Sequence, residues 1–187
     1  MYLQHCAGVF GVERVDIRKL PRILLRNGET HFRNFYFDAL PYVPDDASLE
    51  QITRRDSKNG FFEWLKRQER IIVEQGVVRP KDTTCHVCGK SFKVPIQKLV
   101  DVKMSVRLVH LAWSETVSTI VLFAGDGDLL PAVKAVEDTR CTVRLAYVEE
   151  GDVRTSPALI KSCPEKMKLG RSQLEFCRLD EALSNSV

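Results

Sequence analysis

Two aspartates follow directly on an apolar segment in the run TIVLFAGDGD, which covers residues 119–128. Asp126 and Asp128 are separated only by Gly127, so a turn between them lets both carboxylates reach one cation. Carboxylate oxygens are hard ligands and favour Mg²⁺ or Mn²⁺. The alternative is structural, with one aspartate capping a helix and the other capping a turn. For this pair we favour the metal site.

The elements around the pair would present it at the edge of a sheet. The β-branched and apolar residues 119–124 predict a buried parallel strand, and ligands of open α/β sheets bind at the carboxyl ends of such strands. Pro131 and an N-cap at Asp128 predict that a helix begins at once. Asp101 lies in the first turn of a predicted helix over 98–113, as a third metal ligand or as a surface residue that complements the helix dipole.

The rest of the chain alternates between predicted strands and helices, which is typical of a parallel, doubly wound α/β sheet. We expect one domain over residues 1–187, with an excursion at about 81–94. Trp64 and Trp113 fall on apolar stripes and are predicted core residues. The predicted segments are a helix at 15–26, a strand at 31–36, a loop at 42–57, a helix at 61–70, strands at 71–78 and 141–148, a helix at 157–162, and extended pieces around Met167 and Phe176.

The excursion contains Cys85-His86-Val87-Cys88-Gly89-Lys90, which has the form of a zinc knuckle. A tetrahedral zinc needs two further ligands, and the sequence offers no second pair with matched spacing. Zn²⁺ at Cys85 and Cys88 and ordinary loop cysteines therefore both stay open. The cysteines at 141, 163 and 177 lie in apolar contexts and are predicted core residues.

Composition restricts the class of protein only loosely. The net charge of +3 neither demands nor excludes a nucleic-acid partner. The first residues lack a signal peptide pattern and no segment is apolar over a bilayer's thickness, so we expect a cytoplasmic protein with reduced thiols and no membrane. A homo-oligomer stays open. Eight basic residues could follow a phosphate backbone, or form a solvated helix face. They are Arg54, Arg55, Lys58, Lys66, Arg67, Arg70, Arg79 and Lys81.

Three segments together resemble the NYN domain, in its LabA-like branch, of the PIN-like ribonuclease superfamily. These are YFDALP at 36–41, KLVDVKMSVRLVHLA at 98–112 and TIVLFAGDGDLLPAVKAV at 119–136. The resemblance implies a Rossmann-like three-layer fold with a mostly parallel central sheet. It also implies RNA as the partner and Mg²⁺ or Mn²⁺ held by Asp101, Asp126 and Asp128 for phosphodiester hydrolysis.

The chain also departs from the family pattern. Members normally open with a strand that ends in a further aspartate, and this chain starts at about the following helix, so we expect that ligand to be absent. Residues 9–15 are the nearest substitute for the strand, with Glu13 or Asp16 as a substitute ligand, and Asp38 is expected to be structural. Arg107 stands where the family often has an aspartate.

These departures leave two functions open. One is a metal-dependent endoribonuclease, and the other is a catalytically inactive module that binds RNA or protein on the same surface. A phosphatase of the haloacid dehalogenase type shares the GDGD pattern, but its DxD motif is missing before the strand.

Overall fold

A computed structural model describes residues 2–180 of the chain. Contacts divide these residues into two compact units, which we call the first unit (2–32 and 104–180) and the second unit (33–103). A single domain over the whole chain stays a prediction.

In chain order the elements are α1 (Tyr2–Gly8), α2 (Leu20–Leu24), β1 (Asn34–Asp38), α3 (Leu49–Lys66), β2 (Ile71–Gln75), β3 (Val77–Thr84), β4 (Ser91–Lys98), α4 (Val100–Trp113), β5 (Thr119–Phe123), a 3-10 turn (Gly127–Leu129), α5 (Leu130–Lys134), β6 (Thr142–Tyr147), α6 (Pro157–Ser162), β7 (Glu165–Lys168) and α7 (Arg171–Phe176).

The first unit is built on a parallel sheet in the order β5-β6-β7. Thr119 pairs with Thr142, and Arg144 pairs with Glu165, so the carboxyl ends of all three strands lie at one edge. The helices α4, α5 and α6 contribute Leu108, Val133 and Leu159 to the core that covers this sheet. The four central residues of β6 are buried, and all of them are apolar except Arg144.

The second unit pairs β1 with β2 in parallel through α3, and it adds the antiparallel hairpin β3–β4. The hairpin contains residues 81–94, which the sequence marks as an excursion. Together the two units confirm an α/β fold with parallel sheets.

Helix α3 corrects the loop predicted over 42–57. The helix already begins at Leu49 and continues through Gly60 to Lys66, so it includes most of the segment predicted as a separate helix at 61–70. The Ser48 hydroxyl oxygen accepts a hydrogen bond from the Gln51 backbone N–H, and the Gln51 side-chain oxygen accepts one from the Ser48 backbone N–H. This capping box satisfies two backbone donors at the start of the helix and offsets the cost of the internal glycine.

Four further segments differ from their predictions. The helix expected at 15–26 is reduced to α2, because Pro21 fits only its first turn. The strand expected at 31–36 begins three residues later, as β1. The extended piece expected around Phe176 is the helix α7. Residues 9–15 form no strand, and only Val15 joins an isolated bridge, to Arg178.

A buried arginine ties three parts of the first unit together. The Arg144 side chain on β6 is 1% exposed. Its guanidinium donates to both carboxylate oxygens of Glu29 at 2.6 and 2.9 Å, to Glu165 on β7 at 2.7 Å and to the Leu24 carbonyl at 3.2 Å. A buried charge of this kind is tolerated because nearly every donor has an acceptor.

The cysteines at 141, 163 and 177 are buried, as predicted, and burial raises the pKa of the Cys177 thiol to about 11. Trp64 is buried, as predicted. Trp113 is 61% exposed, and its indole N–H donates a hydrogen bond to the Ala135 carbonyl. The prediction of Trp113 as a core residue is therefore wrong. Among residues 2–180, no helix combines the length and the hydropathy that crossing a bilayer requires.

Candidate functional site

The two aspartates lie on the turn that connects β5 to α5, at the carboxyl edge of the sheet. Both side chains are exposed, while Ala124 before them and Leu129 after them are buried. The Asp126 Oδ1 atom accepts a hydrogen bond from the Asp128 backbone N–H at 2.9 Å. Asp126 is therefore the N-cap of the 3-10 turn, and the predicted N-cap at Asp128 is wrong. The cap lies two residues earlier because a short 3-10 turn precedes α5.

Close packing accounts for both glycines of this turn. A β-carbon at Gly125 would overlap the ring of Tyr2 and come within 2.9 Å of the Arg154 carbonyl oxygen. A β-carbon at Gly127 would come within 2.9 Å of the Ser156 hydroxyl. The space beside the two glycines is therefore filled by Tyr2, by the Arg154 carbonyl and by Ser156.

Tyr2 fixes the strand end from the side of α1. Its hydroxyl shares a hydrogen bond of 2.7 Å with Thr155 and accepts the Val148 N–H at 3.3 Å. Its ring lies 5.5 Å from that of Phe123, the last residue of β5. Burial raises the pKa of the Tyr2 hydroxyl to about 12, so it stays protonated and keeps its donor. Sequence reasoning missed Tyr2, Thr155 and Ser156, because nothing local relates them to the aspartates.

The donor set defines what the turn can hold. Asp126 and Asp128 lie together on it, and Asp101 is exposed in the first turn of α4, in the second unit. Within residues 2–180 no three or more His, Cys, Asp or Glu side chains are grouped to hold one metal ion. Two exposed carboxylates fit a cation such as Mg²⁺ that keeps several of its waters, but they do not form a closed protein cage.

The other acidic candidates serve the fold. Asp16 is buried and receives three hydrogen bonds from Arg18, at 2.8 to 3.0 Å. Burial alone raises the pKa of its carboxyl, but the bonds and charge of Arg18 outweigh burial and lower it. Glu13 is exposed in a segment without regular secondary structure. Neither arrangement resembles a ligand set.

Asp38 ends β1 and is 3% exposed. It pairs with Lys58 of α3 at 2.9 Å and accepts hydrogen bonds from the Ala39 N–H and the Tyr36 hydroxyl. Burial and the nearby Asp38 charge raise the pKa of Tyr36 well above its usual range. The contacts agree with the expectation of a structural role.

Several of the eight basic residues between positions 54 and 81 form ion pairs with acidic side chains. Lys58 pairs with the buried Asp38, Arg55 pairs with Asp56, and Lys66 pairs with Glu63 on the same helix. These pairs favour the interpretation of a solvated helix face over a continuous phosphate-binding surface. Arg79 and Lys81 are exposed on β3.

Cys85 and Cys88 occupy the tip of the hairpin β3–β4. The Gly89 N–H donates to the Cys85 carbonyl, and the Cys85 N–H donates to the Lys90 carbonyl, both at 2.9 Å. Hydrogen bonds from the backbone of Cys88 and Val87, and from the Cys88 thiol, lower the pKa of the Cys85 thiol. The tip thus stabilises a thiolate, which is the form that binds metals.

Comparison with known proteins gives one match. A family model described as the NYN domain covers residues 2–170, a range that includes the acidic turn and the hairpin. This confirms the resemblance to the NYN domain, whereas the LabA-like branch stays a prediction, and NYN domains have a PIN-like nuclease fold. No curated protein and no solved structure matches the chain.

Proposed function

This chain belongs to the NYN domain family, and we propose from that premise that it is a metal-dependent endoribonuclease whose acidic turn holds Mg²⁺ or Mn²⁺. The observation that carries the proposal is the exposed Asp126–Asp128 pair at the carboxyl edge of the β5-β6-β7 sheet. Ligands of open α/β sheets bind at this edge. A cation held there by Asp126 and Asp128 would activate water and would offset charge on the scissile phosphate.

The residues at the turn have two proposed roles, which are to bind the metal and to hold the backbone of the turn in place. Asp126 uses one carboxylate oxygen, Oδ1, to cap the 3-10 turn, and a carboxylate has lone pairs on both oxygens. Its second oxygen and the carboxylate of Asp128 are the proposed metal ligands. The Tyr2 hydroxyl bonds and the packing at Gly125 hold the backbone of this turn in place, so the two carboxylates keep their spacing. Asp101, the third ligand that the family resemblance implies, belongs to no group of three ligating side chains among the described residues, so the proposal depends on the two carboxylates of the turn.

RNA is the proposed substrate, because the family fold is a nuclease fold. The six free cysteines fit a reducing compartment, and this supports a cytoplasmic location.

A second function is favoured by the same donor set. Among the described residues no three His, Cys, Asp or Glu side chains form a group that could hold a metal ion. One oxygen of Asp126 already accepts a hydrogen bond from the Asp128 N–H. These features favour a module that binds RNA on the nuclease fold without cutting it. The two functions differ in whether bound RNA is hydrolysed.

A cleavage assay separates them. Purified protein is incubated with end-labelled single-stranded and structured RNA in Mn²⁺, in Mg²⁺ or in EDTA. The nuclease proposal predicts products that need the metal and that are lost in both Asp126→Asn and Asp128→Asn. Asp138→Asn, at an exposed position after α5, is the matched control and keeps the activity. RNA binding without cleavage supports the binding module, and cleavage that survives both turn substitutions contradicts the proposed site.

A further inference from the structure

The hairpin tip has the backbone of a metal-binding knuckle. β3 and β4 pair over eight residues each, from Val77–Lys98 to Thr84–Ser91, and residues 86–90 at the end of this hairpin are exposed. Gly89 has φ +69°, a conformation that favours glycine and lets the chain turn back after Cys88. The Cys85–Lys90 and Gly89–Cys85 backbone hydrogen bonds, both 2.9 Å, close the chain into one tight turn that carries Cys85 and Cys88.

The described residues supply only half of a tetrahedral zinc site at this tip. Structural zinc takes four ligands, commonly four thiolates. Cys6, Cys141, Cys163 and Cys177 are all buried. In the described part of the chain no His, Asp or Glu joins Cys85 and Cys88 to make a group of three.

We propose that two copies of this chain meet at their hairpin tips and share one Zn²⁺, which is held by Cys85 and Cys88 of each copy. A second copy provides the missing pair with the same geometry, and a two-fold axis through the metal relates the two tips. The site is independent of the acidic turn.

The surface of the tip suits such a contact. Val87, between the two cysteines, is 95% exposed, and burial against a second tip would remove its apolar surface from water. Lys81, Lys90 and Lys93 are exposed around the tip, against one exposed acid, Asp82. A zinc ion with four thiolates carries a net negative charge. The lysines of the two tips would offset this charge.

Zinc titration of the reduced protein tests the proposal. The chain is loaded with Zn²⁺ in the presence of a phosphine reductant, bound metal is quantified, and the mass is followed by light scattering. We expect one zinc per two chains, a mass that doubles with zinc and a return to monomer with chelator. Replacement of zinc by Co²⁺ should give the visible bands of a tetrahedral site and the strong absorption of four thiolate ligands.

Variants identify the ligands. Cys85→Ser and Cys88→Ser should each abolish both the bound zinc and the dimer, and circular dichroism should show that they stay folded because the tip is exposed. His86→Ala is the matched control and should change neither. The double variant Cys85→Ser/Cys88→Ser, mixed with the native chain, should form no mixed dimer.

Several results would overturn the proposal. One is a full equivalent of zinc in a monomer, which would mean that a single chain completes the site. The others are zinc binding that is lost in His86→Ala, a dimer that persists with chelator, and the absence of bound zinc.

Discussion

The Arg144 pair offers a stability test with a defined pH dependence. The guanidinium holds Glu29 through two bonds of 2.6 and 2.9 Å, and the Glu29 side chain is 25% exposed. The hydrogen bonds that Glu29 accepts from Arg144 are the largest cause that lowers the pKa of its carboxyl, from 4.5 to about 2, and the bond from the Arg26 backbone is the second largest. The substitution Glu29→Gln keeps the size and one acceptor but removes the charge.

The size of the effect follows from linkage. A carboxyl whose pKa falls on folding from 4.5 to about 2 contributes roughly 3 kcal/mol at neutral pH. Partial exposure reduces this value, so we expect Glu29→Gln to lose about 2–3 kcal/mol at pH 7. Because the folded pKa is the lower one, this contribution is complete above the unfolded pKa and is lost as the pH falls toward 2. At pH 3 the difference between native and variant protein should be less than half of its value at pH 7.

Urea unfolding followed by far-ultraviolet circular dichroism at pH 7, 4 and 3 measures this difference. Glu63→Gln is the control, because Glu63 and Lys66 form an exposed pair on one helix and should contribute no more than about 0.5 kcal/mol. A loss in Glu29→Gln no larger than that of the control would refute the reasoning. So would a difference that grows as the pH falls.

Three further substitutions test the acidic turn. Gly125→Ala should cost about 1–3 kcal/mol, seen as a lower melting temperature, because the new methyl group meets the Tyr2 ring and the Arg154 carbonyl; an unchanged melting temperature would show that the turn yields easily. Asp126→Ala should cost about 1 kcal/mol because it removes the bond to the Asp128 N–H, whereas Asp126→Asn keeps an acceptor and stays near the native stability. Equal stabilities for the two variants would contradict the capping role.

Local patterns in the sequence were sufficient to predict that β5 is followed by the two aspartates of the turn, and to predict helix α6. The apolar run, the glycines and Pro131 lie within one short segment, and each acts on its immediate neighbours. Helix α3 was missed for the opposite reason. Its polar first half and Gly60 favour a loop, and the one local signal for a helix was the Ser48–Gln51 capping box.

The contacts that fix the candidate site could not be predicted in this way. Tyr2 meets Thr155 across 153 positions, and Arg144 meets Glu29 across 115. Such pairs depend on how the chain folds back, and no spacing in the sequence marks them. Trp113 shows the same limit, since an apolar stripe on α4 does not reveal which part of the stripe is covered.

Mn²⁺ binding is the most direct test of the proposal that the β5 turn holds a catalytic cation. Free Mn²⁺ can be followed by electron paramagnetic resonance as protein is added. We predict weak binding in the native chain, because the turn offers two carboxylates, and weaker binding still in Asp126→Asn and in Asp128→Asn. Asp138→Asn should bind as the native chain does. Equal affinity in all four proteins would contradict this assignment, and a tight site of one Mn²⁺ per chain would contradict the prediction that only these two carboxylates bind the ion.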